Sequence, residues 1–323
     1  MKLSELIYFY EGDYISHTWY LYRGIGSSNF MVIKGDSQVM IDSGITSGPH
    51  SRRIKAQLKQ DGIKPGNTST ILLSHTHPDH VMHAKNMSRK NPLSFITHID
   101  GEQMSHRSSF QFEAHYNYPE FVLREIFNTP VWMARLIVRT FFDFDYIRPD
   151  RKVKDFELLN LGTDARIIPL PSHFPGHIGV YFPAEKILYS ADLFDFRVAE
   201  GGIINNAQSS YSSVFSDIKR LRGLDVEVMV PGHGRIIRGR SMVRVTLDRI
   251  MQGTHDYQVL IKRAVSGPAA GRTLSEITSS IFHDSNAYNL TARKIIIYNT
   301  LTHMKSEDRV DYTLKNGRAF WRA

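Results

Sequence analysis

The sequence predicts an α+β protein in which two β-sheets lie face to face between layers of helices, a four-layer αββα sandwich. Short apolar segments of strand character alternate with segments of helical periodicity over most of the chain. Many tight-turn signals separate them, which favours two packed sheets over a doubly wound parallel sheet. Hydrophobic residues make up 41% of the 323 residues, enough for a sizeable core.

The first predicted elements are short strands between about Ile7 and Gly44. Within them, Gly35-Asp36 separates two apolar runs and indicates a hairpin. The elements expected next are, in order, a helix over Arg52–Asp61, a strand over Ser69–Ser74, a helix from His80 to about Lys90, strands over Leu93–Thr97, Ala165–Leu170, Ile178–Phe182 and Ile187–Ser190, a helix over Ser212–Leu221 and a strand over Val226–Val230.

An aromatic segment interrupts this alternation. Phe110–Tyr146 contains eleven aromatic residues, and the apolar positions around Trp132 have helical spacing. We interpret residues 102–150 as a helical cap inserted into a catalytic domain of residues 1–240. The segment is then an ordinary packed helical pair, a lid over the active site, or a contact surface for a homodimer or a membrane.

The last part of the chain, residues 241–323, predicts a separate helical module. A long helix over Val243–Val265 precedes a capping box that begins at Thr273, and a further helix spans about Leu290–Lys305. Asn316-Gly317 between two short apolar runs indicates a two-residue hairpin. Three helices and a hairpin describe a winged-helix-like fold.

Composition excludes several function classes. The chain has no cysteine, which rules out disulfides, thiolate metal ligands and cysteine nucleophiles. It lacks an apolar stretch long enough for a transmembrane helix, so a cytoplasmic protein is expected. The net charge of +8 lies in the last quarter of the chain, which makes a nucleic-acid partner conceivable but not favoured.

The residues that carry chemistry follow the predicted strand that ends near Ser74. The run Ser74-His75-Thr76-His77-Pro78-Asp79-His80 places three imidazoles and a carboxylate at a strand end. Imidazole binds zinc, iron and similar divalent ions, and a carboxylate adds charge and an oxygen ligand. Side-chain alternation lets His75 and His77 point to one side while Asp79 and His80 turn toward a neighbouring position. The run therefore supplies half-sites for two metal ions rather than one complete site.

This run resembles the HxHxDH signature of the metallo-beta-lactamase-fold hydrolases. Four further segments resemble the remaining signatures of that family in the same order: Ile41-Asp42-Ser43-Gly44, Pro171-Ser172-His173-Phe174-Pro175-Gly176-His177, Tyr189-Ser190-Ala191-Asp192 and Pro231-Gly232-His233-Gly234. The resemblance covers about residues 15–240 and implies the family's αββα fold.

The resemblance also implies a site for two divalent metal ions, typically Zn²⁺, with iron or manganese as alternatives. The implied ligands are His75, His77 and His173 for the first ion, Asp79, His80 and His233 for the second, and Asp192 bridging both. A hydroxide bridging the ions would attack the substrate, and Asp79 would orient it or take its proton. Asp42 is expected to position the ligand loops without touching metal.

Two further histidines lie close to these motifs. His177 is expected to pack or hydrogen-bond near the site, because His173 occupies the ligand position of the motif. His83 stands where relatives often carry a glycine, so it is either a polar contact in the pocket or a histidine on a helix surface. This departure weakens any transfer of substrate from the lactonases of the family.

The sequence leaves three functions open. The first is hydrolysis of a small ester-like substrate, namely a thioester, lactone or carboxylic ester, with the aromatic insertion as an apolar wall. The second is a metal-dependent endoribonuclease or phosphodiesterase, since the basic module resembles an extension found in that branch of the family. The third is a metal-binding ligand sensor without turnover.

Overall fold

The computed structural model describes residues 1–12, 27–44, 48–88, 92–101, 116–128, 130–133, 136, 147–267, 270–283 and 287–323. Its first sheet has six strands in chain order. They are β1 Ile7–Tyr10, β2 Phe30–Lys34, β3 Gln38–Ile41, β4 Thr68–Leu72, β5 Ser94–His98 and β6 Arg151–Val153. β1 to β3 pair antiparallel, and β3 to β6 pair parallel. The predicted hairpin at Gly35-Asp36 is the β2–β3 connection.

The second sheet also has six strands, in the order β12-β11-β10-β9-β8-β7. They are β7 Leu158–Asn160, β8 Asp164–Pro169, β9 Ile178–Phe182, β10 Ile187–Ala191, β11 Val228–Pro231 and β12 Ile237–Arg238. Only the β10–β11 pair is parallel; the other pairs are antiparallel. Two mixed sheets, rather than one doubly wound sheet, therefore form the centre of the molecule, as the sequence predicts.

Helices cover the outer face of each sheet. They are α1 Gly48–Gln60, α2 Pro78–Ser88, α3 Glu120–Phe127, α4 Tyr211–Arg222, α5 Arg240–Val265, α6 Leu274–Ile281 and α7 Ala287–Ser306, with a 3-10 turn at Pro65–Asn67. Along β1, Ile7 and Phe9 lie in the core between the sheets, whereas Tyr8 and Tyr10 lie in the core that includes residues of α1 and α2. This period-two division buries both faces of β1, and the two sheets with helices outside them confirm the four-layer αββα sandwich.

The inserted aromatic segment is described in part, through α3 and a few neighbouring residues; 102–115, 129, 134–135 and 137–146 lie outside the described residues. Val122 and Ile126 of α3 share a core cluster with Leu274 and Trp321 of the C-terminal part. Glu125 Oε2 also accepts a hydrogen bond from the Ser275 backbone N–H at the start of α6 (3.0 Å). The described helix of the insertion is thus attached to the C-terminal helices.

The C-terminal part contains the elements that the sequence predicts. The Thr273 hydroxyl and the Glu276 carboxylate form both hydrogen bonds of the capping box that opens α6. Asn316 and Gly317, at φ 50° and 72°, form the tight turn between β13 Asp311–Lys315 and β14 Arg318–Arg322. The division into domains at residue 240 stays a prediction. Among the helices of the described residues, none is long and apolar enough to cross a membrane.

Candidate metal centre

The predicted site residues follow strand ends that lie at one edge of the sandwich. β8 and β10 both pair antiparallel with β9, so their ends lie at the same edge, and β11 runs parallel to β10 and ends there too. In the other sheet, β4 ends just before the Ser74–His80 run. The topology brings the loops after these four strands together.

The first cluster contains His75, His77, His173 and Asp192, whose potential ligand atoms all lie within 4.8 Å of one another. His173 Nε2 lies 3.0 Å from His77 Nδ1 and 3.7 Å from Asp192 Oδ2. His75 Nε2 lies 3.9 Å from the same carboxylate oxygen. Three imidazoles and one carboxylate at these separations suit a four-coordinate divalent ion.

The second cluster contains Asp79, His80, Asp192 and His233, again within 4.8 Å of one another. His233 Nε2 lies 3.0 Å from Asp79 Oδ2, and His80 Nε2 lies 3.2 Å from Asp192 Oδ1. Asp192 therefore belongs to both clusters and offers its two oxygens to different neighbours. The structure brings together all seven residues that the sequence singles out.

Several atoms of these clusters have no hydrogen-bond partner among the described residues. They include His75 Nε2, His80 Nε2 and Asp192 Oδ1, all of which are buried. An unpartnered buried polar atom is costly, and a cation in each cluster would give these atoms partners. Burial, reinforced by the neighbouring imidazoles, also holds the pKa of His75 well below its usual value, which keeps that ring in the neutral form that binds metal. The residues present thus fit a pair of divalent cations.

The electrostatics of the second cluster favour positive charge. Burial opposes protonation of His80, but three carboxylates outweigh it and raise its pKa well above the usual value. These carboxylates belong to Asp192, Asp42 and Asp79. In the same way burial opposes protonation of His233, while Asp192 and Asp79 raise its pKa to about 10. The negative charge of these carboxylates attracts protons to the two imidazoles, and it would attract a metal ion in the same way.

Asp42 holds the ligand loops in place by hydrogen bonds and belongs to neither cluster. It is fully buried at φ 57° and accepts hydrogen bonds from the Ser74 backbone N–H (2.7 Å) and hydroxyl (2.6 Å). The carboxylate also lies 2.6 Å from His80 Nδ1 and accepts from the Tyr189 hydroxyl at 2.6 Å. A carboxylate at Nδ1 directs the other nitrogen of His80 into the cluster.

The comparison with known protein families decides the identity. The family model described as the metallo-beta-lactamase superfamily matches residues 23–233, which include every residue of the five motifs except Gly234. The chain belongs to the metallo-beta-lactamase superfamily. The membership confirms the predicted fold, and two of the similar proteins carry hydrolase names.

Three similar proteins illustrate the range of relatives. A linear primary-alkylsulfatase from Pseudomonas sp. (strain ATCC 19151) is 24% identical over 71% of this chain and 46% of its own length. The hydroxyacylglutathione hydrolase GloC of Haemophilus influenzae is 29% identical over 52% of this chain and 69% of its own. A metallo-beta-lactamase family protein from Thermus thermophilus matches the whole length of both chains with a TM-score of 0.71 at 18% identity. The chain spans less than half of the alkylsulfatase, and the structural likeness concerns the fold alone.

The two extra histidines of this superfamily member lie outside both clusters. His177 is buried; its Nδ1 lies 2.8 Å from Leu170 O, and its Nε2 accepts a hydrogen bond from the Asp192 backbone N–H at 3.1 Å. Burial lowers the pKa of His177 to about 3, so the ring is a neutral support for Asp192. His83 is half-buried on α2, and its backbone N–H donates to Gly44 O at 3.2 Å.

Other residues near the site carry no motif that would have identified them. Asn29 Nδ2 donates to Pro231 O and Gly234 O at 2.8 and 2.9 Å and so fixes the loop that carries His233. Asn206 Nδ2 donates to His173 O at 2.6 Å. Their only signal in the sequence is an amide next to a strand or in a loop, which is common in any protein.

Proposed function

We propose that this superfamily member holds two divalent metal ions and hydrolyses an ester-like bond, namely a thioester, lactone or carboxylic ester. The observation that supports the metal pair is the position of Asp192, whose carboxylate belongs to both clusters. The proposed ligands are the seven residues of those clusters. Their predominance of imidazole favours zinc.

Metal ions at this site would lower the pKa of water and polarise the bond to be cleaved. The residues of the chain prepare the rest of the reaction. Asp79 lies at the solvent side, with 14% of its side chain exposed, whereas the side chain of His80 is fully buried. We propose that the Asp79 carboxylate accepts the proton of the attacking water. The leaving alcohol or thiol takes up a proton when the carbon–oxygen or carbon–sulfur bond breaks.

The substrate class rests on weaker support than the metal pair. The similarity to a hydroxyacylglutathione hydrolase favours an acyl substrate. The similarity to an alkylsulfatase makes sulfate esters the class that most needs to be compared. A tested panel therefore has to contain both.

A role in RNA cleavage receives little support from the basic C-terminal part. Four of its basic residues pair with carboxylates: Arg240 with Asp225 and Glu227, Arg249 with Glu200, Lys305 with Asp311 and Arg309 with Glu307. Paired cations have less to gain from phosphates than free ones. We therefore place small ester-like substrates before nucleic acid.

The metal pair is tested by elemental analysis of the purified protein after dialysis. We expect two equivalents of metal in the wild type and a clear loss in Asp192→Ala, which takes one ligand from each cluster. Asp100→Ala, an exposed carboxylate outside both clusters, is the control and should keep the full load. An Asp192→Ala protein with undiminished metal would contradict the proposal.

The substrate class is tested with metal-loaded protein on thioesters, lactones, carboxylic esters, sulfate esters and phosphodiesters. We expect the highest kcat/KM on one of the first three, and loss of that activity in Asp79→Asn. Preference for the sulfate ester or the phosphodiester would overturn the proposed class while leaving the metal pair intact.

A further inference from the structure

The loop that follows Asp192 lies directly against the C-terminal helices. A Cβ added to Gly253 of α5 would lie 2.4 Å from Glu200 O, so no side chain fits between helix and loop. The Thr254 hydroxyl accepts from the Gly202 backbone N–H at 2.9 Å, and the Tyr257 hydroxyl accepts from the Glu200 N–H at 2.8 Å. The backbone of this loop is therefore held by α5 at residues 200–202.

A second contact comes from Asn299 of α7. Its Nδ2 donates to Ile204 O at 2.7 Å and to Asn206 O at 3.0 Å. Carbonyl oxygens only accept hydrogen bonds, so the amide nitrogen must face the loop. The amide oxygen is then turned toward Tyr118 of the inserted segment, whose hydroxyl donates to it at 3.3 Å. One side chain thus joins α7, the insertion and the loop.

The same loop determines how His173 is oriented. His173 Nδ1 lies 2.8 Å from Ile203 O, which fixes the ring proton on Nδ1 and leaves Nε2 free to face the first cluster. The backbone oxygen of His173 accepts from Asn206 Nδ2 at 2.6 Å and from the Ser209 hydroxyl at 2.7 Å. Both the ring and the backbone of His173 therefore depend on residues 203–209.

We infer that Asn299 is a positioning residue for the metal centre: it holds the 203–206 loop, and through that loop it keeps His173 in the orientation of a ligand. The C-terminal helices then form part of the metal site's support instead of an accessory for nucleic acid. The inference rests on the proposed metal pair, because it assigns to Asn299 a role in that site.

The test compares two substitutions with a control on the same helix. Asn299→Leu keeps the side chain's size and removes both hydrogen bonds to the loop. Asn206→Asp removes the donor to His173 O and keeps the acceptor for the Gln208 N–H (2.9 Å). The control is Thr300→Val, because the buried Thr300 hydroxyl donates only within its own helix, to Ile296 O at 2.8 Å.

Two readouts are measured on the full chain, zinc titration of metal-free protein and exchange of the His173 ring N–H with solvent, followed by NMR. Loss of a residue that supports a metal-bound histidine typically weakens metal binding about 10- to 100-fold. We expect a weakening of this size for one of the two zinc equivalents in Asn299→Leu and in Asn206→Asp. The His173 ring proton should also exchange faster in both, whereas Thr300→Val should match the wild type in both readouts.

Each outcome of these measurements either supports or overturns the role of Asn299. Wild-type zinc affinity with unchanged exchange in Asn299→Leu would overturn the inference, whatever Asn206→Asp shows. So would an equal loss of affinity in Thr300→Val, since that loss would reflect general destabilisation. If Asn299→Leu does not fold, Asn299→Asp takes its place, because it removes the donor to Ile204 O and Asn206 O and keeps the acceptor for the Tyr118 hydroxyl. If the wild type itself binds no zinc, the proposed metal pair fails first, and the inference fails with it.

Discussion

At the scale of single residues, Asp192 and Gly232 depend on each other. A Cβ on Gly232 would lie 2.0 Å from Asp192 Oδ1, so only glycine leaves room for the carboxylate. The Gly232 N–H also donates to Ala191 O at 2.7 Å, which holds the two strand ends together. The glycine before His233 is therefore required by the position of a carboxylate on the neighbouring strand.

Gly232→Ala should displace the Asp192 carboxylate and lower the metal load below two equivalents. Gly234→Ala is the matched control: Gly234 has φ 81° and no atom within 4 Å of an added Cβ. It should cost about 1 kcal/mol in backbone strain and keep its metal. Elemental analysis and thermal unfolding measure both effects. A Gly232→Ala protein with a full metal load would contradict the steric argument.

Asp42→Ala should also weaken metal binding, although Asp42 belongs to neither cluster. The substitution removes the acceptor for Ser74, His80 and Tyr189 and leaves buried donors unpaired, at a cost of about 1–3 kcal/mol for each. His80 would lose the partner that fixes its ring, and zinc affinity should fall about 10- to 100-fold. Tyr189→Phe, which removes one of these donors without unpairing the others, should bind zinc more tightly than Asp42→Ala.

At the scale of elements, α3 is attached to α6 and α7 through Glu125. Its carboxylate accepts from the Ser275 N–H, and the Lys294 ammonium donates to its backbone oxygen. Burial raises the pKa of this carboxyl despite the neighbouring cations. A helix of eight residues is marginal by itself, so these contacts and its apolar face keep α3 in place.

The raised pKa of Glu125 gives a dependence of stability on pH. Between the unfolded and the folded pKa, the folded state keeps a proton that the unfolded state has lost. As pH rises through this window, the Glu125 carboxyl loses its proton in the folded state, and its contribution to the free energy of unfolding falls. Glu125→Gln keeps an acceptor for Ser275 and removes the charge. Its free energy of unfolding, measured from pH 4 upward, should fall less than that of the wild type. A steeper fall would contradict the assignment.

The elements also show what the sequence can predict. Strands buried on both faces read as apolar runs, and the capping box at Thr273 and the Asn316-Gly317 turn are local signals, so the sequence predicts their positions to within a few residues. For α1 the sequence predicts a start at Arg52, whereas the helix begins at Gly48. The first four residues, Gly48 to Ser51, carry no apolar periodicity, and the sequence gives no sign of the earlier start for that reason.

For the candidate site, the sequence predicts the metal ligands but not the residues that support them. The ligand candidates belong to short motifs, each local in sequence, and the structure brings all of them together. The supporting contacts of Asn29, Asn206 and Asn299 join amides to backbone carbonyls far away in the chain. No local pattern encodes such a contact, because any asparagine can make it once the fold has brought the partner close.

At the scale of the molecule, metal should stabilise the whole fold, since the proposed ligands come from loops of both sheets. Metal at about 100 times its Kd adds about 2.7 kcal/mol to the free energy of unfolding. Tm should therefore rise by several degrees when zinc is added to metal-free protein and fall again with a chelator. Asp192→Ala should show little of this shift. Equal Tm values for loaded and metal-free wild type would argue against ions at this site.

The absence of cysteine gives the arrangement of the clusters a further consequence. Proteins without disulfides lack covalent links between distant parts of the chain, yet ions held between His75 and His173 and between His80 and His233 would tie the two sheets together reversibly. Separation of the sheets would then require release of an ion. At protease concentrations where cleavage outpaces reclosing, resistance to proteases would depend on how fast the cations leave, more than on the equilibrium population of unfolded chains.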